Sequence, residues 1–205
     1  MNQSEPSGVD TPKFILITGI MAAGKSTIAQ ALAERLPKSV HLRGDLFRRL
    51  IVNGRAEMGF ELTPEALRQL RLRYQLAPLV AEQYLAAGFT VVYQDILIGA
   101  GLAEMLPAYA ALPLHLVVLC PDPAVVAVRE AERPKTGYGD PAEIALFDQV
   151  LRTETPHLGL WIDNTKLSVA ETVEQILANL AQARVTPDAW NPERGLGHLS
   201  DSPNS

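Results

Sequence analysis

The stretch "GIMAAGKST", Gly19–Thr27, separates an apolar run from a helical pattern. Ahead of it, "KFILIT" (Lys13–Thr18) is apolar and β-branched, the composition of a buried strand. Behind it, in "IAQALAERL", Ile28, Leu32 and Leu36 recur at the spacing of one helix face. Gly19, four residues, then Gly24, Lys25 and Ser26 is the spacing of a phosphate-binding P-loop. Glycine lets the backbone curl until successive N–H groups point inward at phosphate oxygens. Those donors belong to the residues Gly19, Ala22, Ala23, Gly24, Lys25, Ser26 and Thr27. The helix that begins there adds unpaired N-terminal N–H groups and its positive dipole end. Lys25 can reach the terminal phosphates as a point charge, and Ser26 can give an oxygen to magnesium. The stretch therefore predicts strand, loop and helix in that order, with a nucleoside triphosphate as ligand.

Outward from this motif the chain is ordinary in composition. It has 205 residues, 47% of them hydrophobic and 20% charged, a length that suits one domain. A net charge of −5 argues against a general polyanion binder, and so against nucleic acid as a partner. The single cysteine, Cys120, rules out an intrachain disulfide framework and a cysteine-based metal cluster. It follows the apolar "LHLVVL" and is expected to be buried at a strand end. The apolar run "FILITGIMAA" is far shorter than the ~20 residues a spanning helix needs. The residues before it carry Glu5 and Asp10 rather than a basic cluster, so no membrane partner and a cytoplasmic location are the default expectations.

Residues 1–12 read as a flexible tail, 13–182 as the folded body, and 183–205 as a disordered or loosely docked tail that Trp190 could pin. Within the body, strand patterns at 14–18, 39–42, 89–94, 114–119 and 159–162 alternate with helical patterns. The helices are expected at 25–36, 45–53, 64–87, 102–110, 123–132, 141–154 and 168–182, with Pro78 kinking or breaking the third. Strand-then-helix repetition predicts an α/β fold, a parallel sheet with helices on both faces. Ligands of such sheets bind beyond the carboxyl ends of the strands.

The residues that follow each strand are therefore the candidates. After the second comes "RGDLFRRL", with Asp45, Arg48 and Arg49 on one side of a helical turn. Asp45 can take a proton from an attacking hydroxyl, or it can simply cap the helix. After the third comes Asp95, where "FTVVYQD" resembles a Walker B strand with a magnesium- or substrate-binding carboxylate. No Glu follows it, as a motor ATPase would require, and "DNTK" at 163–166 is not the guanine motif of a GTPase. After the fourth, Arg129 and Arg133 share a helix face ahead of the glycine-bearing "PKTGYG", a pattern that suits a cationic lid. Arg152 is a further candidate for the same role. After the fifth, Asn164 and Thr165 would lie near the base of the nucleotide. Between Arg43 and Arg73 there are seven arginines against four acids. Arg68 and Arg71, at i and i+3, would line an acceptor pocket for anionic or many-oxygen groups, or else form a solvated face.

In this order and combination, Gly19–Ser26, Asp45-x-x-Arg48, Asp95 and the Arg129/Arg133 pair resemble the small P-loop kinases. Within that group the chain is most similar to the branch holding chloramphenicol phosphotransferase, the kinase half of polynucleotide kinase and zeta-toxin-like enzymes. The resemblance implies a P-loop NTPase fold with a five-stranded parallel sheet in the order 2-3-1-4-5. It implies transfer of the γ-phosphate of ATP, with Mg2+, to the hydroxyl of a small molecule. Lys25, Asp45 and Arg133 would be catalytic, with Asp45 the base and the lid arginines clamping the transferring phosphate. Arg48, Arg49, Arg68, Arg71 and Asp95 would meet the substrate. A toxin-like or regulatory module with a macromolecular partner, and a 5′-polynucleotide kinase, are the alternatives.

Overall fold

In the computed structural model the apolar run Phe14–Gly19 is strand β1, and every residue of it is buried. The structure describes residues 11–59, 62–133 and 137–189. A strand hidden on both faces reads as continuous apolar sequence rather than as an alternation, which is the signature of a central parallel strand. Helix α1 (Lys25–Arg35) follows, then β2 (Ser39–Arg43), the short α2 (Gly44–Arg49) and the long α3 (Pro64–Ala86). The chain continues through β3 (Thr90–Gln94), α4 (Ala100–Tyr109), β4 (Leu114–Leu119), α5 (Pro123–Ala131) and α6 (Pro141–Gln149). A π-helical turn at Val150–Glu154 leads to β5 (Leu160–Ile162) and α7 (Val169–Ala178).

The five strands are parallel in the order β2-β3-β1-β4-β5, as expected. Their register sets Arg43 beside Gln94 and Leu119 beside Ile162, so Gly19, Gly44, Asp95, Cys120 and Asp163 all emerge along one edge of the sheet. Helices cover both faces: α1 packs with α7, and α3 with α4. The Thr18 hydroxyl reinforces this edge by donating to the Leu97 carbonyl at 2.7 Å and accepting from the Leu97 N–H at 2.9 Å. That pair of bonds ties the end of β1 to the loop carrying Asp95. Cys120 is buried just past β4, and burial raises its thiol pKa, in keeping with an inert core position. No described helix is long and apolar enough to cross a membrane.

Three expectations need correction. Helix α3 does not break at Pro78 but continues through it to Ala86. The ring removes the N–H that would bond the Tyr74 carbonyl, and the Tyr109 hydroxyl donates to that carbonyl instead, at 3.4 Å. The second helix ends at Arg49 rather than at 53.

The last correction concerns the body's end at 182. Beyond it the chain still packs on the sheet: Ala183 and Val185 are buried, the Leu116 N–H donates to the Ala183 carbonyl at 2.7 Å, and the Val185 N–H donates to Leu114 at 3.0 Å. Strand β5 pairs only with Val117–Leu119, so residues 183–185 cover the part of the β4 edge that would otherwise stay open. Three residues are too few for a periodicity to register in the sequence. Trp190 lies outside the described residues, as do residues 1–10.

Two backbone bonds and two buried side chains are together worth roughly 2 kcal/mol. A chain ending at Gln182 is therefore expected to melt about 4–8 °C below one ending at Ala189. Equal melting temperatures by calorimetry would show that the 183–185 segment adds nothing to the sheet.

Candidate active site

The P-loop owes its shape to a few torsions. Ala22 and Gly24 take φ values of 58° and 96°, in the left-handed region that lets the chain fold back on itself. Gly24 is the N-cap of α1 and offers no side-chain bond to it, so the first N–H groups of the helix stay available to an anion. A Cβ on Gly19 would lie 2.5 Å from the Leu119 carbonyl oxygen, so only glycine allows the loop to leave the sheet there.

Lys25 is buried, and its ammonium donates to the Ile20 carbonyl at 2.7 Å. Burial, then Arg133, then Arg73 lower its pKa to about 7. The lysine is thus held in a cationic pocket where a polyphosphate would restore its charge. Ser26 and Thr27 are exposed on the first turn of α1, facing the open side of the loop.

Asn164 was expected beside the nucleotide base. The structure buries it against the loop, where its amide donates to the Ala23 carbonyl at 3.0 Å. Arg129 donates to the Asn164 carbonyl at 3.0 Å, so Asn164 joins the P-loop to α5. The side-chain oxygen of Asn164 and Nη1 of Arg129 are both buried without a partner. Thr165 accepts from the Asp122 N–H at 2.7 Å and lines a cavity of about 590 Å3 with Asp122, Asp163 and Lys166. Arg152 forms a wall of the same cavity, held by Asp148 at 2.9 Å and by the carbonyls of Cys120 and Pro121. It does not join Arg133.

Arg133 pairs with Glu130 at 2.8 Å. Glu130 is buried and also accepts the N–H groups of Gly137 and Tyr138. The Tyr138 hydroxyl donates to the carbonyl of Met21 in the P-loop at 3.0 Å. The segment after α5 is therefore fastened to the loop it was expected to cover. Pro134–Thr136, part of the expected lid, lie outside the described residues.

On the other side of the crevice Asp45 is not an N-cap: Arg43 holds that position, and Asp45 sits inside the first turn of α2. Its Oδ2 accepts from Arg49 at 2.5 Å, and Arg43 Nε stands 3.7 Å from its Oδ1. That Oδ1 is shielded from solvent and has no hydrogen-bond partner. Arg48 donates to the Ala56 carbonyl at 2.7 Å, which braces the loop after α2.

The second carboxylate is fully engaged. Asp95 has a completely buried side chain, ion-paired with Arg73, whose Nε donates to Oδ2 at 2.7 Å. The Tyr93 hydroxyl and the Ile96 N–H donate to it as well, each at 2.7 Å. Arg73 thus stands against the carboxylate where magnesium or substrate was expected. Gly44 rests directly on this carboxylate, and a Cβ there would lie 1.9 Å from Oδ2. Neither Arg73 nor Gly44 was singled out from the sequence, although the adjacency of Gly44 to Asp45 was a usable sign of a tight corner. Arg68 is exposed and paired with Glu65, and Arg71 with Glu104 at 3.1 Å, so these two do not converge on the crevice as a cationic pair.

A family model described as an AAA domain matches residues 14–157. Among curated proteins none matches the chain significantly. Many solved structures resemble it. An unliganded sugar kinase from Janibacter sp. is 15% identical, with a TM-score of 0.62 over 84% of this chain and 96% of that one. The tunicamycin resistance protein of Deinococcus radiodurans is 19% identical, with a TM-score of 0.63 over 86% and 99%. The Mycobacterium tuberculosis APS kinase, solved with AMPPNP and APS, is 17% identical, with a TM-score of 0.59 over 83% and 98%. Together with the sheet order, these likenesses establish the P-loop NTPase fold.

Removing the cation from a buried pair strands the anion, which typically costs about 3–5 kcal/mol. Arg73→Met is expected to lose stability on that scale, and adding Asp95→Asn should recover part of it by discharging the stranded group. Denaturant unfolding of both variants measures this. A loss below about 1 kcal/mol for Arg73→Met would mark the pair as no stronger than a surface ion pair.

Proposed function

The chain belongs to the AAA domain family, and from that premise we propose that it is an ATP-dependent phosphotransferase acting on the hydroxyl of a small molecule. The observation that carries the reading is the contrast between the two carboxylates. Asp95 has its oxygens taken by Arg73, Tyr93 and Ile96, whereas Asp45 keeps one shielded oxygen, Oδ1, without a hydrogen-bond partner. A general base needs a lone pair free for the proton it receives, and only Asp45 has one. The neighbours named for a sugar and for APS support a small acceptor.

On this reading the N–H groups of Gly24, Lys25, Ser26 and Thr27 cradle the phosphates, while Lys25 leaves the Ile20 carbonyl for a phosphate oxygen. Ser26, exposed at the start of α1, would hold a Mg2+ ion, which supplies charge neutralisation at the phosphate oxygens. Asp95 is assigned to hold Arg73 in the crevice rather than to ligate the metal. Asp45 Oδ1 takes the acceptor's hydroxyl proton as that oxygen bonds to the γ-phosphorus. The bond from the γ-phosphorus to the bridging oxygen breaks, and ADP leaves. Arg49 and Arg43 keep the carboxylate oriented. Arg133 and Arg129, released from Glu130 and Asn164, close on the charge that develops on the transferring group.

Asp45→Asn preserves shape and removes the basic oxygen. It is expected to melt within a few degrees of the parent and to bind MgATP normally. Phosphoryl transfer, followed as ADP release above the hydrolytic background, should fall at least roughly a hundredfold. Transfer near the parent rate would overturn the base assignment. Lys25→Ala, by contrast, should weaken MgATP binding or turnover by about a hundredfold or more, because it removes a preorganised charge from the phosphate site. An unchanged nucleotide affinity and rate would count against the P-loop reading.

A further inference from the structure

The acceptor side of the crevice holds a cavity of about 270 Å3 that the arginine-rich sequence did not anticipate. Its walls are apolar. Leu67, Leu70 and Tyr74 come from α3, Ile96 and Ile98 from the loop after β3, and Phe147 from α6. The Tyr74 hydroxyl is spent on the Ile96 carbonyl at 2.7 Å, so the ring alone is left for a ligand. The polar side chains on the lining are Arg71 and Glu104, which pair with each other at 3.1 Å and are more than half exposed, at the rim. None of the described buried polar atoms that lack partners belongs to this lining.

The cavity borders the Arg73–Asp95 ion pair on one side and the segment fastened to the P-loop on the other. Tyr74 follows Arg73 and Ile96 follows Asp95, so two of its walls are each one residue from that ion pair. On the opposite side Phe147 meets Tyr138 edge to face, with ring centroids 5.8 Å apart, and Tyr138 is bonded to the P-loop at Met21.

We propose that this cavity seats the phosphoryl acceptor, and that the acceptor is a small alcohol with an apolar, ring-sized body rather than a polyol or a polyanion. The assignment rests on the phosphotransferase reading above and narrows it. A polyol placed here would bury its spare hydroxyls against leucine, isoleucine and aromatic carbon, where each unmade hydrogen bond carries its full desolvation penalty. A ring gains dispersion and apolar burial from the same walls, and needs only its single hydroxyl to reach the crevice. Of the seven arginines of the 43–73 segment only Arg71 lies on this lining, and it is occupied by Glu104.

The test uses the full chain with MgATP and two probes, 2-phenylethanol and gluconate. Binding is read from the methyl resonances of Ile96, Ile98 and Met105, which also lines the cavity from α4, and transfer from ADP release. The expected result is saturable 2-phenylethanol binding, at least tenfold tighter than gluconate, with ADP release above background. Leu67→Glu, at a partly exposed position on the lining, should weaken 2-phenylethanol at least tenfold and leave the melting temperature and nucleotide affinity unchanged. Gluconate-driven ADP release without 2-phenylethanol binding would overturn the acceptor class and leave the phosphotransferase reading standing. Binding of 2-phenylethanol with no ADP release from either probe would instead overturn the phosphotransferase reading, and the acceptor assignment with it. Leu67→Glu that binds like the parent would remove the cavity from the argument.

Discussion

A carboxylate shut away from water at the end of a parallel sheet must be answered by a cation and hydrogen bonds, and at Asp95 this is done by Arg73, Tyr93 and the Ile96 N–H. Much of the crevice is arranged around that cluster. Arg73 reaches it from α3, which fixes the long helix against the sheet's edge. Gly44 packs on the carboxylate without a side chain, which sets the corner that aims Asp45. The Thr18–Leu97 bonds hold the same loop to β1 and so to the P-loop. Because the pair is nearly dry, its attraction is little weakened by solvent, and it can hold three separate elements in one geometry.

Around this anchor the mobile charges of the site are each parked on a nearby acceptor. Lys25 rests on Ile20, Arg133 on Glu130 and Arg129 on Asn164. None of these partners can match a polyphosphate, which offers several charged oxygens at once. Nucleotide binding then becomes an exchange of weak internal partners for strong external ones. Burial and two arginines depress the Lys25 pKa, a cost that a bound anion would offset. The Tyr138 bond to Met21 joins the segment after α5 to the loop itself.

The acceptor side follows different chemistry. Its cavity draws apolar side chains from α3, the loop after β3, α4 and α6, while the arginines of the same region point to carboxylates of their own. Charge counted along the chain suggested a pocket for anions. Charge counted after pairing leaves an apolar one.

The local signals in the sequence were sufficient for the nucleotide half of the molecule. The P-loop is a contiguous motif whose glycines, lysine and serine act through backbone geometry, so Gly19–Thr27 could be read without knowing any long-range contact. Strand-helix alternation likewise placed Asp45, Asp95 and Asp163 at one edge of the sheet, because period and turn chemistry are properties of short segments. Partner choice was not legible in this way. Whether Asp95 meets a metal or Arg73, whether Asp45 caps or sits within a turn, and whether residues 183–185 join the sheet all depend on segments distant in the chain. Burial then decides each outcome, since a buried charge takes whatever counter-group the packing brings to it. The acceptor cavity is the clearest case: α3, the loop after β3, α4 and α6 build it, and only the tertiary structure brings these four segments together.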